Sequence, residues 1–380
     1  DVSRLAQAKE ATGDFEGALQ AYRGGVEADV ALGDKSGEAW DRAKVAKMLR
    51  EKGRHAEAVP ELQRLTELYA ELGKQDELRV AYNDLGWSQK SSGDYAGSLV
   101  SYQAALKLGR ELNTPSGQGV SLTGIGLAQR GLGNYAAALA AYQEALAIDQ
   151  RLGDKTAERV DHITIADVQR DLKHDDEAVA SLQRALALAR ELNDPSLVGS
   201  SLNTLANLYA DLGKNDLALQ GYDEAISVAG ALGDSANLGI FIENSANMLR
   251  RADRHEEALE RYQRASGIYA ATDRPADEAT AERGVARSLQ SLKRDAEAIP
   301  HFEKSLELFR QEQDTTGLRS VLSDLGKLKR RASDFGDAAK YLDEAVALGR
   351  EAGDIDSLGA DLTELGMARN GLGDHTAALE

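Results

Sequence analysis

Apolar and polar positions along the chain repeat every forty residues, and no insertion or deletion breaks the period. Within each period one apolar stripe starts at a small residue (Ala18, Ala58, Ser98, Ala138, Ala178 and their equivalents), followed directly by an aliphatic. A ring or leucine follows at Tyr22, Leu62, Tyr102, Tyr142, Leu182, Tyr222, Tyr262, Phe302 and Leu342, and then a second, mostly small residue such as Ala105, Ala145 or Ala225. Spacings of three and four place these positions on one face of a helix. A second stripe precedes the first, with an aliphatic at Leu5, Val45, Leu85, Ile125, Ile165, Leu205, Val285, Leu325 and Leu365, and Ala or Gly immediately after it. Each period therefore predicts two helices. The small residues let the helix backbones approach, and the ring fills the space between one pair and the next.

The predicted boundaries carry the expected punctuation. Asp34, Thr114, Asp154, Asp194, Asp234, Asp314 and Asp354 precede the first helices, where a side-chain oxygen can accept orphan N–H groups. Pro115, Pro195 and Pro275 follow three of these positions, at the first helical residue, where a missing N–H costs nothing. A glycine in the turn within the pair (Gly13, Gly53, Gly93, Gly133, Gly213, Gly373) supplies the left-handed residue that ends the first helix. The turns at Lys173, Asp253 and Lys293 have lost it, which puts their geometry in question. Pro60 and Pro300, one turn inside their helices, predict a slight bend.

Composition narrows the function classes. With 42% hydrophobic and only 5% aromatic residues, the chain is too apolar for disorder and too poor in rings for a sheet protein. No run of apolar residues is long enough for a membrane span. The absence of cysteine excludes disulfides, thiolate metal sites and a cysteine nucleophile. A formal charge of −18 argues against nucleic acid and anionic membranes as partners. No catalytic constellation is visible. His55, His255 and His375 occupy the register held elsewhere by Phe15, Tyr95, Tyr135 and Phe335, which predicts rings packed in the corner between helices. Gly124-Ile125-Gly126 lacks the third glycine and the preceding strand of a dinucleotide motif, and Gly33-Asp34-Lys35-Ser36 lacks the Gly-Lys pair of a phosphate loop. The expectation is a chain with no catalytic, metal or cofactor site.

The string Leu85-Gly86, Gly93-Asp94-Tyr95, Ser98-Leu99, Tyr102, Ala105-Leu106, and its counterpart from Ile125-Gly126 to Leu146, resembles the tetratricopeptide repeat along the whole chain. The usual repeat is six residues shorter, and the longer form resembles the arrays of Pins/LGN adaptors, kinesin light chains and bacterial sensor regions. The resemblance implies an all-α, right-handed solenoid of about nine and a half antiparallel helix pairs, a single superhelical array over residues 1–380. It also implies that the first helices line a groove for a peptide or partner protein, in a cytoplasmic setting. The tenth period stops a few residues into its second helix, at Ala378-Leu379-Glu380, which suggests a piece of a longer chain.

If the first helices line the groove, its exposed registers sum to +6 against −18 for the whole chain, a basic strip on an acidic body. Its strongest block runs from Arg250 through Arg283, Arg287, Lys327 and Arg330 to Arg331. Two readings stay open for Arg50, Lys90, Arg130 and Arg170: they lie in the last turn of their helices, where the dipole favours a cation whatever the function. Asn83, Asn203, Asn207 and Asn247 are candidates to hold an extended peptide's backbone, since an amide both donates and accepts. Trp87 is the candidate anchor, and Trp40 is expected to pack against a neighbour. These features predict a non-catalytic scaffold for a protein or peptide partner of acidic character. The alternative is the sensor region of a larger NTPase- or protease-linked enzyme.

Overall fold

The computed structural model of the chain describes residues 2–378, and side chains from residue 4 except that of residue 356. Leu379 and Glu380, on which the expected truncation of the last pair falls, lie outside the described residues. Nineteen α-helices and no strand occur among the described residues. The second helix of each pair is α2 (Phe15–Leu32), α4 (His55–Glu71), α6 (Tyr95–Glu111), α8 (Tyr135–Leu152), α10 (Asp175–Glu191), α12 (Asn215–Leu232), α14 (His255–Ala271), α16 (Asp295–Gln311) or α18 (Phe335–Ala352). The first helices are α1 (Val2–Ala11), α3 (Lys35–Glu51), α5 (Gln75–Ser91), α7 (Pro115–Gly131), α9 (Lys155–Asp171), α11 (Pro195–Asp211), α13 (Ser235–Arg251), α15 (Pro275–Ser291), α17 (Thr315–Arg331) and α19 (Ile355–Gly371). The helices group into two compact units, residues 1–193 and 194–380. Within each unit every helix packs on the next in chain order.

The repeated small and large positions interlock as the period predicts. Tyr102 lies between Gly86 of α5 and Gly124 of α7: a Cβ added at Gly124 would stand 2.3 Å from its ring and one at Gly86 2.9 Å. Tyr142 and Tyr262 stand in the same way against Gly126 and Gly284. These rings are buried, with Ala138, Ile165 and Val168 around Tyr142 and a larger cluster around Tyr222, Tyr262 and Phe302 in the second unit. Fully burying one such side chain contributes roughly 1.5–3 kcal/mol, so the repeated ring is a main source of cohesion between pairs.

Asp34, Asp154, Asp194 and Asp314 each accept two backbone N–H groups of the helix they precede. Thr114 departs from the expected cap: its hydroxyl donates back to the Gly109 carbonyl at 3.3 Å and accepts nothing from α7. The turns without glycine keep the same geometry, since Lys173, Asp253 and Lys293 have φ of 63°, 58° and 63°, beside 78° at Gly133. The fold thus imposes the left-handed residue even where a side chain resists it. Helices α4 and α16 continue through Pro60 and Pro300. His55 and His255 are partly buried at the corner, as expected, whereas His375 is exposed and hydrogen-bonded to Asn370 at 2.7 Å.

Candidate functional site

In the first unit, α5 directly neighbours α7, so these two first helices share one face. A cleft of about 490 Å³ opens on it, walled by α3, α5, α7 and α9 and closed at one side by Asp149 near the end of α8. Asn83 and Trp87, two of the expected groove residues, line it. Trp87 is 41% exposed, and Lys90 rests over its ring with Nζ 4.3 Å from the centroid, a cation–π contact that steadies an otherwise solvent-facing indole. Asn83 Oδ1 accepts from the Ser121 hydroxyl at 2.9 Å. Glycines shape the floor: beyond Gly124, a Cβ at Gly119 would stand 3.3 Å from the Asp149 carboxylate.

The cleft also contains residues that the charge pattern did not point to. Val80, Val120 and Val160 hold one register in α5, α7 and α9 and are 44%, 56% and 41% exposed. Val120 and Val160 line the cleft with Leu127, and Trp40 stands at the same register in α3. Trp40 has the neighbour expected of it, stacking edge-on against Tyr22 at 5.8 Å, yet it stays exposed. A signal for this strip exists in the sequence, since the register carries Trp, Val, Val and Val in the first unit but Ser200, Thr280, Ser320 and Ala360 in most of the second.

The four asparagines are already engaged through their carbonyl oxygens. Besides Asn83, Asn203 accepts from Asn244 Nδ2 at 3.1 Å, and Asn207 and Asn247 accept from the hydroxyls of Tyr222 and Tyr262, both at 2.6 Å. Each therefore buttresses its own fold and offers a partner chiefly its amide N–H.

The basic strip undergoes the largest revision. Arg130 pairs with Asp167 and Asp171 of the next first helix, at 3.3 and 2.5 Å. Arg283 and Arg287 converge on Asp324, at 2.7 and 2.9 Å, and Arg330 pairs with Glu364. Arg50 does the same with Asp84, at 2.6 Å. Arg250 reaches the hydroxyl of Tyr262. Of the block, Arg250, Lys327 and Arg331 have no ion-pair partner among the described residues. Arg50, Arg130, Arg283, Arg287 and Arg330 are thus ties from one first helix to the next, not free charges. Counting the exposed registers by themselves omitted the acids at Asp84, Asp324 and Glu364, one position further along the helix.

The reverse holds for acids on the cleft. The carboxyls of Asp149 and Asp161 meet across the α8–α9 connection and share a hydrogen bond. Burial, with the Asp149 charge next, pushes Asp161 up to about 7, and burial raises Asp149 as well. Asp161 is 2% exposed, and its Oδ2 has no donor among the described residues.

A sequence model described as Tetratricopeptide repeat matches residues 117–191, 197–271 and 277–351, more than half of the chain. The chain belongs to the tetratricopeptide repeat family. No curated protein is a significant match to it. Among solved structures, BtubC (BKLC) from P. vanneervenii is 25% identical, with a TM-score of 0.50 over 54% of this chain and 87% of that one. The apo quorum sensor NprR from B. thuringiensis is 16% identical, with a TM-score of 0.54 over 93% of this chain and 97% of that one. A signal-transduction ATPase with a tetratricopeptide repeat sensor, from Pyrococcus horikoshii, is 17% identical, with a TM-score of 0.50 over 99% of this chain and 51% of that one. The latter two likenesses are of fold.

Tetratricopeptide repeats form interaction scaffolds, and the cleft in residues 1–193 is lined in part by exposed apolar side chains. Among the described residues no group of three or more His, Asp or Glu side chains stands close enough to hold a metal ion. No described helix is long and apolar enough to cross a membrane.

Proposed function

We propose that the chain holds a segment of a partner protein, extended or helical, against the first-helix face of residues 1–193, with Trp87 as the anchor. The observation that carries this reading is the exposed apolar lining of the cleft by Trp87, Val120 and Val160, with Val80 exposed at the same register of α5. Adjoining exposed apolar side chains mark interaction sites, and a large ring at the centre of such a patch is where binding energy concentrates. The scaffold itself performs no chemistry. The pairing of Arg130, Arg283, Arg287 and Arg330 weighs against the acidic partner that their register suggests, because a ligand carboxylate must displace one already in place.

A second reading is that the array is the sensor part of a larger enzyme. Its support is the alignment of nearly the whole chain with half of an ATPase that carries a tetratricopeptide repeat sensor. The two readings share the same cleft and differ in what the bound segment controls.

The test is selection of binders from a random peptide-display library on the purified chain, followed by titration against Trp87→Ala and Val120→Asp. Loss of a central aromatic anchor costs about 2 kcal/mol or more, so affinity falls at least roughly tenfold. Binders indifferent to both substitutions overturn the cleft assignment, and binders that instead respond to Lys327→Glu restore the acidic-ligand reading.

A further inference from the structure

From the floor of the cleft we infer that the Asp149–Asp161 carboxyl pair receives the ammonium or guanidinium of a lysine or arginine in the bound segment. The inference rests on the reading above and deepens it from an apolar anchor to an apolar-plus-basic motif.

Three observations carry it. First, the cleft is charged with the opposite sign to the expected strip. Its lining holds one arginine, Arg50, against Asp84, Asp149, Asp154 and Asp161. Arg50 is occupied by Asp84 at 2.6 Å, which leaves the other three without an ion-pair partner among the described residues. Second, Asp161 is nearly sealed from water and its Oδ2 lacks a donor among the described residues. A buried carboxylate oxygen in this state is costly, and the neighbouring group is another carboxyl, so the pair needs either a shared proton or an incoming N–H. Third, Asp149 is the less buried of the two and lies within the same cleft as Trp87, Val120 and Val160. A segment whose apolar side chains cover the valines can place a cationic tip at Asp149 while its methylene stem stays on the apolar wall.

The surroundings add acid, and the basic groups among them, His162 and Arg184, are directed to Glu158. Around the pair stand Tyr142 on α8, Asp154 at the α9 N-cap, whose carboxylate is engaged by Thr156 and Ala157 N–H groups, and Glu158 and His162 on α9. From α10, Arg184 is directed to Glu158 at 3.1 Å. From α7, Gly119 borders the Asp149 carboxylate and brings no charge. An arriving cation therefore meets two carboxyls whose burial and mutual charge favour a proton on the pair. The cation favours the fully ionised pair instead, so any proton held there is released to solvent and the cation competes with it for the same site.

Peptides selected from the display library on the wild-type chain test this directly, titrated against Asp149→Asn, Asp161→Asn and Trp87→Ala. The expected set is enriched in Lys or Arg beside apolar residues. Its affinity falls about tenfold or more with either asparagine, and replacing the basic residue by norleucine reproduces that loss on the wild type only. Affinity rises as pH increases from about 6 to about 8, by up to roughly tenfold per unit below the point where the pair ionises, and this dependence vanishes in Asp161→Asn. Peptides that need Trp87 but ignore both aspartates, or that bind independently of pH, overturn the inference and leave the cleft standing. Peptides insensitive to Trp87→Ala, or none at all, overturn both. The asparagine variants relieve a like-charge contact and are expected to melt no earlier than the wild type above about pH 7, so a loss of binding with an unchanged melting profile is not a folding defect.

Discussion

Removing Asp324 tests whether the arginines of the first-helix face are structural ties or free charges. In the second unit Arg283 Nε lies 2.7 Å from Asp324 Oδ2, while Arg287 contacts both oxygens at 2.9 and 3.0 Å. The side chain of Asp324 is 11% exposed, that of Arg283 24% and that of Arg287 37%. In Asp324→Ala, Arg287 can turn into water, and its share is screened to below about 1 kcal/mol. Arg283 cannot relax so easily, because it keeps most of its burial and loses its only ion-pair partner among the described residues. Breaking a buried pair from one side costs about 3–5 kcal/mol, and a quarter-exposed arginine recovers part of that by hydration, which leaves about 2–3 kcal/mol. The same logic makes the triple variant Arg283→Met, Arg287→Met, Asp324→Leu informative: with no charge left to desolvate, it should return to within about 1 kcal/mol of the wild type. Equilibrium urea unfolding followed by far-UV circular dichroism reads both. If Asp324→Ala unfolds within about 0.5 kcal/mol of the wild type, the arginines are already solvated and the strip is available to an acidic partner after all.

Two further outcomes follow from the geometry of single residues. Lys293 and Lys173 hold left-handed turns at φ 63°; an L-residue there costs about 1–2 kcal/mol, offset by about 0.4–1 kcal/mol when glycine loosens the unfolded chain. Each Lys→Gly change should therefore stabilise by roughly 0.5–1 kcal/mol, and a lower melting temperature would show that the lysine side chains hold the turn. Glu282 reports acid stability in the second unit. Burial raises its carboxyl, but hydrogen bonds with His301, Lys304 and Ser266, at 2.6, 2.8 and 2.6 Å, outweigh burial and hold it at about 2. A carboxyl held low in the folded state stabilises fully above its unfolded value of 4.5, and this contribution, about 3 kcal/mol, is lost as pH falls toward 2. Glu282→Gln should flatten that limb of the stability–pH profile, and an unchanged slope would assign acid unfolding to other carboxylates.

The repeat period made the helix pairs legible because packing acts at one register per helix. Tyr102 needs small partners at Gly86 and Gly124, and the same small-large relation recurs at Tyr142 with Gly126 and at Tyr262 with Gly284. A forty-residue comparison detects such a relation directly. Charge does not obey that economy. Arg287 and Asp324 are thirty-seven positions apart and Arg283 and Asp324 forty-one, so their pairing joins one register of a period to a different register of the next. Summing registers separately therefore leaves Arg283, Arg287 and Arg330 looking unopposed. The Asp149–Asp161 pair was hidden for the complementary reason. Its members lie on a second helix and on the first helix that follows, and among 63 acidic residues a close acid pair carries no weight until burial sets it apart. Val80, Val120 and Val160 lay within reach of the same forty-residue comparison, but a valine repeated on a helix is ordinarily a core position, and only their exposure distinguishes them. Periodicity thus reveals what each pair shares with the next, whereas the candidate site is built from departures that only some pairs carry: a glycine floor, an outward valine, and two carboxyls with no cation between them.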